Sequence, residues 1–427
     1  MTRIASRWFS SLIFLAAAGT AAAQTTDGQW DATVNVNGVV IPFRLDIAGV
    51  GSALAGTLYN GDQKETTTGA EIVNGSLVLS FDHYLTTIRA TPRDGRLEGK
   101  VEGRFEAEKY LSDYPFEAKP HVEQQDTVGN APSIAGDWIV PYDSAKGEKA
   151  WRLIVRQEGT EVSAAILRVD GDTGALTGRW HSGGFLLSHF DGSRPLNATV
   201  QPQPDGTLSI QLQGPFSPTE KLTAYRQDVA LARGLPQPSD YTTHTSVRDP
   251  REVFAFSFPD VNGKTVSNSD PQFHDKVVLA IVTGTWCPNC HDEAQYLVQL
   301  YRKYHDKGLE IVALDFEEPE QQDSLKRERA FVKQYGVQYT YLIAGAPSEM
   351  WEKVPQAVNL NTWPATFFIG RDGRVKHIHA GFAAPASGDF NAQLQAEFTQ
   401  NIEKLLSETP DVTTADLARP LDIESLP

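Results

Sequence analysis

Two cysteines are the residues of this 427-residue chain whose type and spacing point most directly to covalent chemistry. They stand three positions apart in the segment Trp286-Cys287-Pro288-Asn289-Cys290, and the sequence holds no other cysteine. A bridge that closes so small a loop restricts the unfolded chain very little, so stability is a poor explanation for the pair. The spacing instead predicts a redox-active dithiol, a point of cofactor attachment or part of a metal site.

Thiol–disulfide exchange accounts for both cysteines, because it requires a thiolate nucleophile and a second thiol that resolves the mixed disulfide. If a helix begins at the motif, its unpaired N–H groups and its dipole favour the thiolate form of Cys287. Cys290, one turn further in, is then expected to be more buried and to act as the resolving thiol. Pro288 suits a first helical turn, where no N–H bond is lost. The sequence therefore predicts a redox-active Cys287–Cys290 disulfide with no bound cofactor or metal.

The elements around the motif indicate an α/β domain. The segment 277–283 is a continuous apolar strand, and 292–307 carries apolar residues at helical spacing that end at Gly308. The pattern further predicts a strand at 309–316, a helix at 324–335, a hairpin across Asp372-Gly373 and a final helix at 390–406. Strand–helix alternation of this kind is typical of a sheet packed with helices.

The stretch from about residue 254 to residue 406 resembles the TlpA/ResA-type branch of the thioredoxin superfamily. The resemblance covers roughly a third of the chain and is specific because several motifs occur in the right order. The matching pieces are Phe258-Pro259-Asp260-Val261-Asn262-Gly263-Lys264, Lys276-Val277-Val278-Leu279, Thr285-Trp286-Cys287-Pro288-Asn289-Cys290, and Pro364-Ala365-Thr366-Phe367-Phe368-Ile369 followed by Asp372-Gly373.

The resemblance implies roles for residues outside the cysteine motif. Pro364 matches the family's cis-proline beside the cysteines, which lets the preceding backbone pair with an extended substrate. Glu318 falls where the family often has a glutamate that tunes or moves protons. Thr362 stands where the family usually has glycine, so it and Trp363 are expected to affect substrate docking, with Trp286 as an apolar rim. The family implies reduction of disulfides in partner proteins, with an electron-donor protein that the sequence does not identify.

The first half of the chain shows an internal repeat with an offset of 108 residues. Gly28-Gln29-Trp30 returns as Gly136-Asp137-Trp138, and other short matches follow at the same offset. Each copy has short apolar segments separated by turn signals such as Asn74-Gly75 and Asp94-Gly95. We expect two similar antiparallel sandwiches or small barrels, followed by a thioredoxin-like α/β domain.

These patterns divide the chain. The predicted parts are a signal peptide at 1–23, a β-rich module at 24–122, a second at 132–229, a linker at 230–250, the redox domain at 251–409 and a flexible tail at 410–427. Arg3 and Arg7, a short apolar run and Ala21-Ala22-Ala23 are typical of a cleaved signal peptide, which predicts a periplasmic or secreted protein. No transmembrane segment is expected after cleavage. The formal net charge of −16 argues against nucleic acid as a partner.

Four alternatives remain open from the residues alone. His291 completes a C-x-x-C-H motif, the signature of covalent haem attachment, with His291 as axial ligand. A peroxiredoxin-like peroxidase is disfavoured, because its motif wants a hydroxyl residue and a proline where Gly284 and Ala280 stand. Zinc binding by the two cysteines with His377 and His379 is a third possibility. Lastly, the β modules would be the main binding or assembly part, with the redox domain accessory to them.

Overall fold

The computed structural model describes residues 26–104, 112–123, 131–322 and 324–408. The predicted signal peptide and the predicted tail at 410–427 lie outside these ranges. Within the described ranges, no helix is both long enough and apolar enough to cross a bilayer.

The first β module is an open antiparallel sheet of nine strands in the order β4-β3-β2-β1-β9-β8-β7-β6-β5. Its strands are β1 Gly28–Val36, β2 Val39–Ala48, β3 Ala55–Asn60, β4 Gln63–Thr66, β5 Gly69–Val73, β6 Ser76–Phe81, β7 Thr86–Arg93, β8 Arg96–Gly103 and β9 Ser112–Pro120. Every second residue of β2 from Val39 to Ile47 is buried, as expected for strands with one face on a core.

The second β module contains a closed barrel. Its strands are β10 Gly136–Pro141, β11 Ala150–Glu158, β12 Glu161–Arg168, β13 Gly171–Asp172, β14 Leu176–His181, β15 Gly184–His189, β16 Leu196–Pro202, β17 Leu208–Gln213 and β18 Glu220–Arg226. β10 pairs with β18, and β11 pairs with both β10 and β12, so eight strands form a ring while β13 pairs with β12 beside it. The sequence predicted either a sandwich or a small barrel, and the second module is a barrel.

Trp30 and Trp138 occupy matching places in the two modules. Each is buried and donates its indole N–H to the carbonyl four residues earlier, at 3.0 Å for Thr26 and 2.9 Å for Ile134. In both modules the first strand pairs with the second and with the last. Both tryptophans therefore lie in the cores of the sheets, as buried anchors with a satisfied donor.

The C-terminal part is an α/β domain with a five-stranded sheet in the order β24-β23-β22-β26-β27. Its strands are β22 Val277–Thr283, β23 Leu309–Phe316, β24 Thr340–Gly345, β26 Ala365–Ile369 and β27 Val375–Ala380. The short pairs β19 Ser246–Val247 with β25 Ala357–Val358, and β20 Ser257–Pro259 with β21 Thr265–Ser267, lie outside it. β22, β23 and β24 run parallel to one another. β26 runs antiparallel to β22, and β27 runs antiparallel to β26. This is a thioredoxin-like fold.

The three predicted helices are present, and the described residues contain three further short ones. They are α1 Gln227–Ala232, α2 Pro288–Tyr304, α3 Pro319–Gln322, α4 Lys326–Tyr335, α5 Met350–Lys353 and α6 Asp389–Ser407. α2 and α6 cover one face of the sheet through residues such as Leu297, Phe398 and Ile402, which share a core cluster with β22 and β23. Every residue of β22 and β23 is buried, so the strand that leads into the cysteine motif is held on both faces.

Candidate redox site

Cys287 lies at the junction between the central strand and the helix that follows it. β22 ends at Thr283, and Cys287 is the residue that precedes the first turn of α2, with Pro288 as the first helical residue. The backbone N–H groups of Cys290 and His291 point back to the carbonyl of Cys287, at 3.0 and 3.3 Å. Cys287 is therefore the N-cap residue of α2, the position at which a helix dipole favours a thiolate.

Both thiols are free and buried, with exposed fractions of 4% for Cys287 and 1% for Cys290. The Cys287 thiol donates to the carbonyl oxygen of Trp363 at 3.4 Å. Burial raises the pKa of Cys290 well above its ordinary value, and the neighbouring Cys287 thiol adds to the rise. Cys290 is thus the thiol that keeps its proton, which suits a resolving rather than an attacking role.

The loop before β26 brings Pro364 and Trp363 to the cysteines. The Trp363–Pro364 peptide bond is cis, and the Pro364 carbonyl accepts a hydrogen bond from the backbone N–H of Gly381 at 2.8 Å. Trp363 is half-buried, whereas Thr362 is fully buried and turned away from solvent. Of these two residues predicted to dock substrate, Trp363 is therefore partly accessible, whereas Thr362 is not.

Trp286 is fixed on the other side of the motif. Its indole N–H donates to the Phe316 carbonyl at 2.9 Å, and its ring meets the ring of Trp363 edge-on at 5.1 Å. The indole lies directly against Gly284, where an added Cβ would overlap the ring nitrogen. Glycine at this position thus makes room for the tryptophan.

Glu318 lies in an ion-pair network. Its carboxylate accepts from Arg327 at 2.7 Å and pairs with Arg104 of the first β module at 2.6 Å. The adjacent Glu317 is fully buried, also pairs with Arg327, and accepts a hydrogen bond from the hydroxyl of Thr285, two residues before Cys287. Within the described residues, the polar contacts of the Glu318 carboxylate are with these arginines and not with a cysteine.

A different carboxyl lies on the same helix as Cys290, and the sequence reasoning did not single it out. Glu293 is 1% exposed, and the hydroxyl of Thr366 donates to it at 2.6 Å. It follows Cys290 by three residues on α2, so the two side chains share a face of the helix. Burial raises the pKa of Glu293 to about 8, against the opposing effect of Thr366. The available signal was a glutamate among the apolar residues of this helix.

His291 is buried on the first turn of α2. Its Nε2 lies 2.7 Å from the Thr285 carbonyl, and its Nδ1 lies 2.9 Å from the Tyr335 hydroxyl. Its ring also packs on Tyr84 of the first β module, with centroids 4.4 Å apart. Burial lowers the pKa of His291 well below its ordinary value. Because both ring nitrogens have protein partners, the residue does not fit the role of a haem ligand.

Among the residues that the structure describes, two side-chain trios have the composition of metal sites, and neither includes a cysteine. Their donor atoms lie within 4.8 Å of one another in the trios His377–His379–Glu397 and Asp315–Glu317–Glu328. His377 and His379 contact the same oxygen of Glu397, at 2.7 and 2.9 Å. Burial opposes ionisation of Glu397, but these histidines outweigh it and lower its pKa to about 2. The structure thus does not bring the histidines to the cysteines, as the zinc alternative requires.

A strand-to-helix dithiol, a facing cis-proline loop and a buried carboxyl together define a thioredoxin-like redox domain. Residues 251–378 match the AhpC/TSA family. A thiol-disulfide oxidoreductase ResA of Bacillus thuringiensis (strain Al Hakam) is 32% identical over 125 residues, which are 29% of this chain and 65% of that protein. ResA of Geobacillus kaustophilus (strain HTA426) is 30% identical over 141 residues, 33% of this chain and 74% of that protein.

Through its C-terminal domain, the chain belongs to the ResA-like family of thiol-disulfide oxidoreductases. The chain covers just under two thirds of the length of the Bacillus relative. Among solved structures, a putative thiol:disulfide interchange protein DsbE from Chlorobium tepidum matches 38% of this chain and 99% of its own, with 24% identity and a TM-score of 0.30.

Proposed function

We propose that the protein is an exported thiol–disulfide oxidoreductase that reduces disulfides in partner proteins. The observation that carries the proposal is the placement of Cys287 at the N-terminus of α2, with its thiol facing the carbonyl before the cis-proline. The Cys287 thiolate attacks one sulfur of the partner disulfide, and the other partner sulfur leaves as a thiolate. Cys290 then attacks Cys287, which releases the second partner thiol and leaves a Cys287–Cys290 disulfide.

The second step needs a base, because Cys290 must lose its proton before it attacks. Glu293 supports this role, since a buried carboxyl with a pKa near neutral takes up and gives back a proton at working pH. The cis peptide bond before Pro364 turns the backbone of Trp363 towards the partner, and Trp286 forms the rim. We assign Glu318 no direct part in the exchange; its contacts support a role in holding Thr285 through Arg327 and Glu317.

The remaining parts of the proposal follow from the sequence. The signal at 1–23 directs export to the periplasm or the outside of the cell, and a separate donor protein returns two electrons to the dithiol after each turnover. No cofactor takes part. We also propose that the chain is divided into β modules at 24–122 and 132–229, a linker at 230–250, a redox domain at 251–409 and a tail. The shared strand order and the matching tryptophans support the proposal that the two β modules are repeats.

Insulin reduction tests the proposal. Reduced wild-type protein should cleave the insulin disulfides, Cys287→Ser should abolish cleavage, and Cys290→Ser should accumulate a mixed disulfide through Cys287. The redox assignment would be refuted if the wild-type protein did not reduce insulin and its two cysteines also failed to react with thiol reagents. A reduction potential of about −270 mV would indicate a reductant and one of about −120 mV an oxidant. Turnover of hydrogen peroxide without reduction of insulin would favour the peroxidase alternative.

A further inference from the structure

The surface around the cysteines is covered by the chain's own second β module. The contact is made by residues 169–172, which comprise the two-residue turn after β12 and the short strand β13 and are here called the capping turn. Its backbone touches the redox domain so closely that side chains would not fit on either side. A Cβ at Gly171 would lie 2.6 Å from the Phe382 carbonyl and 2.7 Å from Asn289 Nδ2, and one at Gly381 would overlap the Val169 carbonyl.

Hydrogen bonds fix the capping turn to both sides of the site. Asn289, which stands between the two cysteines, donates its Nδ2 to the carbonyl of Asp170 at 2.8 Å. Ser387, beyond β27, donates its hydroxyl to the carboxylate of Asp172. Lys146 pairs with Asp170 at 2.6 Å, and its carbonyl accepts from Asn361, two residues before Trp363. The turn therefore spans from the cysteine motif to the loop that carries the cis-proline.

Arg194 of the same module makes a second contact with the redox domain, at the first turn of α2. Its guanidinium donates to the Asn289 amide oxygen at 3.2 Å and to Asp292 at 3.3 Å. Its Nε donates to the Asp191 carboxylate at 2.8 Å. The group is mostly buried, with 18% of its side chain exposed. A buried arginine with several partners is a specific contact rather than an incidental surface pair.

A substrate must use the surface that the capping turn occupies. The Gly381 backbone that meets Val169 is the same backbone that bonds the Pro364 carbonyl at 2.8 Å. A partner disulfide has to approach Cys287 beside that loop, yet Cys287 is only 4% exposed. We infer that the capping turn occupies the substrate-docking surface of the redox domain, so that a partner protein must displace the second β module to reach Cys287. This inference rests on the proposed function and adds how access to its site is controlled.

Thiol accessibility in the full-length reduced protein tests the inference without relying on turnover. Cys287 in the folded wild type should react with iodoacetamide at least about 100-fold more slowly than in the urea-unfolded chain, because reaction requires the cap to open. Arg194→Ala removes the bonds to Asn289 and Asp292 and should speed the reaction of the folded protein by about tenfold or more. Ser387→Ala removes one bond and should speed it less.

Arg179→Ala is the matched control, since Arg179 pairs with Glu161 on the same barrel and should leave the rate unchanged. If Arg194→Ala fails to fold, Ser387→Ala and the folded-to-unfolded ratio of the wild type decide. Equal reactivity of Cys287 in folded and unfolded protein, or unchanged rates in the folded cap variants, would overturn the inference. Rapid alkylation of Arg194→Ala without insulin turnover would instead support the cap and count against the proposed function.

Discussion

The hydroxyl of Thr366 donates a hydrogen bond of 2.6 Å to the buried carboxyl of Glu293. The two residues come from β26 and α2, the elements that also carry the cis-proline loop and the cysteines. A carboxyl in such a place is costly to ionise, and burial accordingly raises its pKa to about 8. The carboxyl and Cys290 share the inner face of one helix, where protons are exchanged with solvent only with difficulty.

Glu293→Gln should slow thiol–disulfide exchange because it removes the group that takes the proton of Cys290. The loss is expected to be about 10²-fold, the usual range for a positioned acid or base. The wild-type rate should change with a pH midpoint near 8, and this step should be absent in the variant. Insulin turnover from pH 6 to pH 9 gives both readings. A variant that keeps the wild-type rate and the wild-type pH profile would exclude Glu293 from the proton transfer.

The same carboxyl makes stability depend on pH. Its folded-state pKa is raised, so between about pH 4.5 and pH 8 the folded protein keeps a proton that the unfolded chain has released. The free energy of unfolding of the wild type should therefore fall as pH rises through this window, by at most about 5 kcal/mol. Glu293→Gln lacks this titrating group. Its free energy of unfolding, measured with urea, should therefore rise relative to that of the wild type between pH 5 and pH 8.5. A constant difference between the two proteins would contradict the raised pKa.

Arg327 neutralises two glutamates at the base of the motif, and Arg327→Gln should destabilise the protein by about 3–5 kcal/mol. The physical reason is that Glu317 is fully buried and loses its cation. Adding Glu317→Gln should recover part of the loss. Lys333→Gln, on the exposed face of the same helix, is the control and should change little. Chemical unfolding of the four proteins measures this, and equal stability of Arg327→Gln and the control would rule out the network as a structural support.

Gly284→Ala should displace the indole of Trp286, because the new methyl group overlaps its ring nitrogen. We expect a destabilisation of about 1–3 kcal/mol, as for other overpacked sites, and a slower reaction with insulin. The NMR signal of the Trp286 indole N–H should shift as its bond to Phe316 is lost. Gly69→Ala is the control, since a Cβ there meets no atom within 4 Å and the backbone is not left-handed. Identical behaviour of the two variants would contradict the steric argument.

Local chemistry made the β elements predictable. Asn74-Gly75 and Asp94-Gly95 each form a two-residue connection between neighbouring strands, and all four residues have positive φ. Such turns match the twist of a hairpin, which is why these dipeptides are reliable signals. Whether the strands close into a ring depends on the pairing of β12 with β14, since the open first module also pairs its second strand with its third and its first with its last. No single segment of sequence encodes that pairing.

The site was predictable only where its chemistry is local. The cysteines and Pro364 belong to short motifs, and the structure places them together. The apolar period of α2 is visible only from residue 292, four residues after the helix begins, because Asn289 and His291 are polar residues buried against the β modules and interrupt it. Glu293 was overlooked for the same reason: burial of a polar side chain by distant segments leaves no periodic signal.

The eight strands of the barrel ring each have a hydrogen-bonded neighbour on both sides. The open sheet of the first module differs, since β4 and β5 lie at its ends with one paired neighbour each. Amide protons at the end of a sheet leave by local fraying, whereas those in a ring leave only when several strands separate together. Deuterium should thus enter β4 and β5 early and the ring late. The capping turn begins directly after β12, a strand of this ring, so displacing the turn from the redox domain means moving the slowly exchanging barrel.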